Sequence, residues 1–202
     1  MAVFTTYLQL GFLHICSWQA TDHLTFLLAL CAPYVLADWR RVVALVTSFT
    51  LGHSLTLALA TVGVVEVPGS LIEALIPVTI LLTALVDMRQ AGPAQARPSR
   101  LRPRPLVWAA PNALAAAFGL IHGLGFSAYL RALLGTQHQP LAELLSFNLG
   151  VELGQLLIVS AILLLGAVVL RGFGVARRDW VLVTSGAALG VAALLLVQLL
   201  NS

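Results

Sequence analysis

No lysine occurs anywhere in the 202 residues, and with eleven arginines set against eight acids the charged fraction is only 9%. A soluble domain carries about 25% charged and roughly 45–50% apolar residues; here 59% are hydrophobic and the mean hydropathy is +0.96. A chain of this size still exposes about a third of its surface when folded. So many apolar side chains cannot all be hidden in its core, and lipid must be the solvent. The net charge of +3 is too small to mark a nucleic-acid partner, and where the arginines fall matters more than their sum. Cys16 and Cys31 supply neither a disulfide framework nor a metal-binding pair, and each reads as a small buried hydrophobe. The first eleven residues hold no positive charge, so no cleavable signal peptide is expected.

A crossing helix needs about 20 mostly apolar residues. Cut at its charges, prolines and polar clusters, the chain yields apolar stretches at 24–37, 42–65, 70–86, 106–134, 141–170 and 180–200. Pro68 is placed to open the third. Residues 90–105 form the one linker, rich in proline and carrying Arg97, Arg100, Arg102 and Arg104. The arginines alternate: Arg40 and Arg41, then Arg89 through Arg104, then Arg171, Arg177 and Arg178, while the turns at Glu66 and at 137–139 hold none. The positive-inside rule puts the basic loops in the cytoplasm of a bacterial cell and the C-terminus outside its inner membrane. Arg131 alone is out of place, within reach of the headgroups. Residues 4–15 give only about 18–22 Å of helix, short of the roughly 30 Å hydrocarbon core. That predicts a half-helix dipping in from the outer face; the alternative is a tilted seventh span. The expected fold is therefore an all-α polytopic membrane helix bundle, a single transmembrane domain over 1–202. It has six spans plus the half-helix and a cytoplasmic linker at 90–105.

Ionisable residues inside spans are costly and point to function. Their depth follows at about 1.5 Å per residue. Asp22 and His23 stand at the outer edge of a span, and Glu73 lies about 8 Å in from Pro68. His53 is about 18 Å above Arg41, and His122 about 24 Å above Leu106. Asn148 and Glu152 are about 10 and 16 Å below Leu141, and His14 joins them if its half-helix dips in. All of these fall in the outer half of the membrane. Asn148, Glu152 and Gln155 share one helix face. Hydrogen bonding between spans accounts for Asn148, Gln155, Ser48 and Ser54. It accounts poorly for His14, His23, His53 and His122, four of the five histidines, gathered with acids at one depth.

Imidazole with carboxylate suits a borderline divalent ion such as Ni²⁺, Co²⁺ or Zn²⁺. No HExxH cluster occurs, so the site must assemble from several helices, which suits reversible binding of a transported ion. Gly119, Gly123 and Gly125 around His122 mark the place for a helix break, a recurrent way to build an ion site in a membrane. Close helix packing is the other reading of these glycines. His138, in the outer turn, reads as a solvated residue.

Four ordered motifs, the first in two segments, carry a family resemblance. Gly11-Phe-Leu-His14-Ile precedes Asp22-His23-Leu-Thr-Phe, followed by Thr47-Ser-Phe-Thr-Leu-Gly-His53-Ser54. Then come Phe118-Gly-Leu-Ile-His122-Gly-Leu-Gly-Phe126 and Phe147-Asn-Leu-Gly-Val-Glu152-Leu-Gly-Gln155. Together they resemble the HupE/UreJ membrane proteins, regarded as nickel or nickel and cobalt permeases. The resemblance implies Asp22 and His23 as first ligands, with His14, His53, His122 and Glu152 as further ligands or pathway groups. Ser54 and Glu73 are similar to family positions too. Where the family has a glycine-containing turn before the Asp-His pair, this chain has Trp18 and no glycine.

The expected function is inward transport of a divalent transition metal, nickel or possibly cobalt. The ion is captured at His14, Asp22 and His23, passed to His53, His122 and Glu152, and released past Asp87. Two other classes compete: an intramembrane metal-dependent hydrolase, and a metal sensor or scaffold.

Overall fold

The computed structural model describes residues 2–18, 20–91, 110–134 and 141–201. They form eight α-helices: α1 (Ala2–Cys16), α2 (Thr21–Cys31), α3 (Trp39–Thr61), α4 (Gly69–Gln90), α5 (Ala110–Gly125), α6 (Ser127–Leu134), α7 (Leu141–Ala167) and α8 (Arg177–Leu200). A single 3₁₀ turn over Leu36–Asp38 leads into α3, and a π turn over Val168–Gly172 ends α7. Most of the linker, 92–105, and the turn at 135–140 with His138 lie outside the described residues.

Four of these elements are long and apolar enough to cross a membrane, and α5 with α6 makes a fifth if the pair, bent by 46°, is one span. The chain is thus an all-α polytopic membrane bundle. Helices α1 and α2 are each too short to cross alone. The stretch 24–37, expected to be a continuous span, is cut because Pro33 has no N–H to extend α2. The carbonyl of Ala29 is instead bonded by the N–H of Ala32 at 3.0 Å. By contrast α3 stops where a glycine signals it. Gly63 adopts a left-handed φ of 78°, Val64 N–H bonds the Leu59 carbonyl at 2.9 Å and Gly63 N–H bonds that of Ala60 at 3.2 Å.

Lipid offers no hydrophobic drive for helix association, so close backbone contact must hold the bundle. Two helix pairs achieve it. A Cβ on Gly119 would strike the Phe49 carbonyl, and one on Gly123 that of His53; four residues along α5 match four along α3, so the two run parallel. Likewise Gly150 lies on the Leu8 carbonyl and Gly154 near that of Phe12, so α1 runs parallel to α7. Arg177, the first residue of α8, donates to the Pro33 carbonyl ahead of α3. The end of α7 and the start of α3 therefore share one end of the bundle, the arginine end, and the two pairs run in opposite directions. Helix α8 packs mainly on α4, and α2 lies against α4, α7 and α8.

Gly119→Val should separate α3 from α5, because the added methyls meet backbone that cannot rotate away. Overpacking of this kind costs about 1–3 kcal/mol or more. The expected result is a lower melting temperature and less folded protein in the membrane; an unchanged melting curve in detergent would refute the close contact.

Candidate metal centre

Each of four histidines is delivered by a different helix. His14 ends α1, Asp22 and His23 open α2, His53 lies on α3 beside the glycine contact, and His122 is in the last turns of α5. Ring centroids are 5.0 Å apart for His14 and His23, 5.1 Å for His23 and His122, and 6.2 Å for His23 and His53. Asp22, His23 and His122 offer ligand atoms all within 4.8 Å of one another. This is the one such group of three among the described residues.

The hydrogen bonds orient these ligands. His23 Nδ1 is 3.0 Å from Asp22 Oδ1, so its N–H goes to the carboxylate and Nε2, which has no partner among the described residues, carries the lone pair. Thr79 Oγ1 donates to the Ile76 carbonyl at 2.7 Å. Toward His122 Nε2, 3.1 Å away, it therefore accepts, and the unpartnered Nδ1 of His122 is left as a ligand atom. His14 Nε2 and both ring nitrogens of the fully buried His53 also lack partners among the described residues. Buried polar atoms without partners are expensive. Their convergence here fits a bound cation.

A cavity of about 900 Å³ reaches this cluster, lined by His14, Asp22, His23 and His122. Its mouth holds Glu66, Glu73 and Arg131, at the end of the bundle away from the arginine loops. Arg131 Nη1 is 3.3 Å from Glu66 Oε1, so the arginine expected to reach the headgroups pairs across the mouth instead. Toward the arginine end the cluster is closed by Phe26, Phe49 and Phe118, with Phe26 4.9 Å from Phe49 and 6.0 Å from Phe118 between ring centroids.

A sequence model described as HupE / UreJ protein matches residues 1–199. The chain belongs to the HupE/UreJ family. No curated protein and no solved structure gives a match.

Not every residue expected in the HupE/UreJ site joins the cluster. Glu152 Oε1 accepts from Thr47 at 2.7 Å, and Gln155 Oε1 accepts from Thr50 at 2.7 Å, so both acceptors tie α7 to α3. Asn148 is half-buried on α7 and Ser54 half-buried on α3. Asp87 is buried on α4 with Oδ2 unpartnered among the described residues, eight residues beyond Thr79 and hence about 12 Å nearer the arginine end. The helix break falls at Phe126, just past Gly125, rather than at Gly119 or Gly123, which stay helical and serve the packing of α5 on α3. Thr79 and the aromatic floor were not singled out from the sequence. A lone threonine or phenylalanine in an apolar span carries no signal of its own.

Proposed function

We propose that this HupE/UreJ protein carries a divalent transition metal, nickel or cobalt, inward across the cytoplasmic membrane. The observation that carries the reading is the set of unpartnered nitrogens on His23 and His122, beside the Asp22 carboxylate, at the bottom of a cavity open at one end and closed at the other. Two neutral imidazoles and one carboxylate suit such an ion and offset part of its charge. His14 and His53, close by, serve as ligands for its arrival and departure. Glu66 and Glu73 at the mouth draw cations in, and Asp87 stands on the way out.

The chain makes six crossings in this reading. Helices α1 and α2, about 22 and 16 Å long, are two halves of one broken crossing, since α1 starts at the cavity end with α7 and α2 finishes beside Arg177 at the arginine end. The arginine end faces the cytoplasm by the positive-inside rule, so the cavity opens outward and the C-terminus is outside. A break halfway through a crossing, lined by cavity rather than lipid, is where backbone can be left irregular to serve an ion.

One observation favours a second reading. Two histidines, one carboxylate and an open cavity also match the ligand count of a hydrolytic zinc site. Reconstitution separates the two. Purified protein in liposomes holding a nickel-sensitive dye should give Ni²⁺ influx above protein-free vesicles, with metal that exchanges freely. Tightly retained metal and no influx would overturn transport and favour the enzyme.

A further inference from the structure

We infer that the chain is an inverted repeat of two halves, 2–90 and 110–200, in which the equivalent residues Phe49 and Phe147 close the histidine cluster from opposite ends. A second state then opens the site to the arginine end. Backbone contacts carry the equivalence. Gly119 meets the carbonyl of Phe49 and the N–H of His53, and Gly11 meets the carbonyl of Phe147 and the N–H of Val151. Gly52 meets Ala116 and Leu120 in the same way as Gly150 meets Leu8 and Phe12. Thr56 Oγ1 donates to the Leu120 carbonyl at 2.7 Å, where in the other half Gly154 approaches the carbonyl of Phe12.

One constant step in numbering carries Leu8, Gly11, Phe12 and His14 onto Ala116, Gly119, Leu120 and His122. Another carries Phe49, Gly52, His53 and Thr56 onto Phe147, Gly150, Val151 and Gly154. The residues themselves repeat, Ser48-Phe49-Thr50-Leu51-Gly52 against Ser146-Phe147-Asn148-Leu149-Gly150. Each half also breaks its first crossing shortly after the equivalent histidine, between α1 and α2 and between α5 and α6. Because the α1 and α7 pair runs opposite to the α3 and α5 pair, the halves are inverted.

The contacts of Phe49 and Phe147 with histidine obey the same relation, while their aromatic neighbours Phe26 and Phe126 are not equivalent positions. Phe49 lies 4.9 Å from Phe26 and 5.2 Å from His122, while Phe147 lies 5.0 Å from Phe126 and 5.8 Å from His14. The first pair is on the arginine side of the cluster and the second on the cavity side. The halves differ in their outer packing: α2 lies against α4 and α8, and α4 against α5, but α6 has no comparable packing on α8 or α4, nor α8 on α1, among the described residues. Two halves of like construction can exchange conformations, and the exchange turns a cavity at one end into a cavity at the other. Ala60 and Val65, which line the cavity, have Ile158 and Leu163 as equivalents near the arginine end, where Leu163 is buried in the core.

The inference deepens the transport reading and takes its meaning from it, but its test needs no flux. Single cysteines at Val65, Ile158 and Leu163, in a background of Cys16→Ser and Cys31→Ala, are exposed to a membrane-impermeant maleimide in vesicles of each orientation. Val65→Cys, half-buried on the cavity wall, should label from the cavity end, and Ile158→Cys and Leu163→Cys from the arginine end. Adding Phe49→Ala, or Phe49→Leu if alanine lowers abundance, should raise arginine-end labelling by about fivefold or more and lower that of Val65→Cys as the populations shift. The proposal is overturned if neither Ile158→Cys nor Leu163→Cys labels from the arginine end, with or without the Phe49 change, while Val65→Cys labels and Ni²⁺ binding matches the parent. Labelling as expected with no Ni²⁺ influx keeps the two states and overturns the transport reading instead.

Discussion

His23→Ala is expected to reduce Ni²⁺ affinity by about 100-fold or more and to abolish uptake, while inserting at close to the parental level. The magnitude follows from losing a ligand outright, since changing even a supporting partner of a metal ligand costs about 10–100-fold. Asp22→Ala should come close to it for two reasons at once. It removes one candidate ligand, and it releases His23 Nδ1, whose hydrogen bond fixes which nitrogen carries the lone pair. Asp22→Asn is the finer probe, because the amide keeps the shape but not the charge that offsets the cation. Neither residue holds helices together as the glycines do: His23 is at the start of α2 on the cavity wall, so its loss enlarges a space already open. Isothermal titration with Ni²⁺, at matched protein abundance, gives the measurement. Affinity of His23→Ala within twofold of the parent would remove it from the site.

The parts of this site that were legible in the sequence are those where a polar residue is costly in its surroundings. His14, Asp22, His23, His53 and His122 stand out because lipid-buried charge and imidazole demand a reason, and the arginine pattern gave them a common depth. The structure gathers all five. Depth alone could not say which way a side chain points, and there Glu152 differs: it shares the depth but is engaged by Thr47 of α3. The crossings at α3, α7 and α8 are read from length and apolarity, helped by stop signals such as Gly63. The first crossing resists that reading because its two halves are each too short, and because Pro33 cuts a run that hydropathy joins. Gly119 and Gly123 were ambiguous for a physical reason. A glycine that permits a break and one that permits close approach look alike in sequence, and the Phe49 and His53 carbonyls against them decide for approach.

Acid should weaken the parent's grip on metal more steeply than that of His122→Gln. A neutral imidazole binds a divalent ion through a lone pair; protonation occupies that pair and adds a repelling charge, so bound metal and bound proton exclude each other. Affinity is therefore full where the imidazoles are neutral and falls as pH drops through their titration, by at most about tenfold per pH unit for each histidine ligand. With His23 and His122 both binding, the limiting slope approaches two protons displaced per metal; His122→Gln should lower affinity at neutral pH and reduce that slope to about one. Thr79→Val gives an intermediate result, since it keeps the ring but removes the acceptor that holds the proton on Nε2. Its affinity should drop a few-fold with the slope of the parent. If His122 were only a packing residue against Phe26 and Phe49, the glutamine variant would bind Ni²⁺ as the parent does at every pH and lose only stability. Titrations at several pH values, with proton release measured from the buffer dependence of the heat, decide between these outcomes.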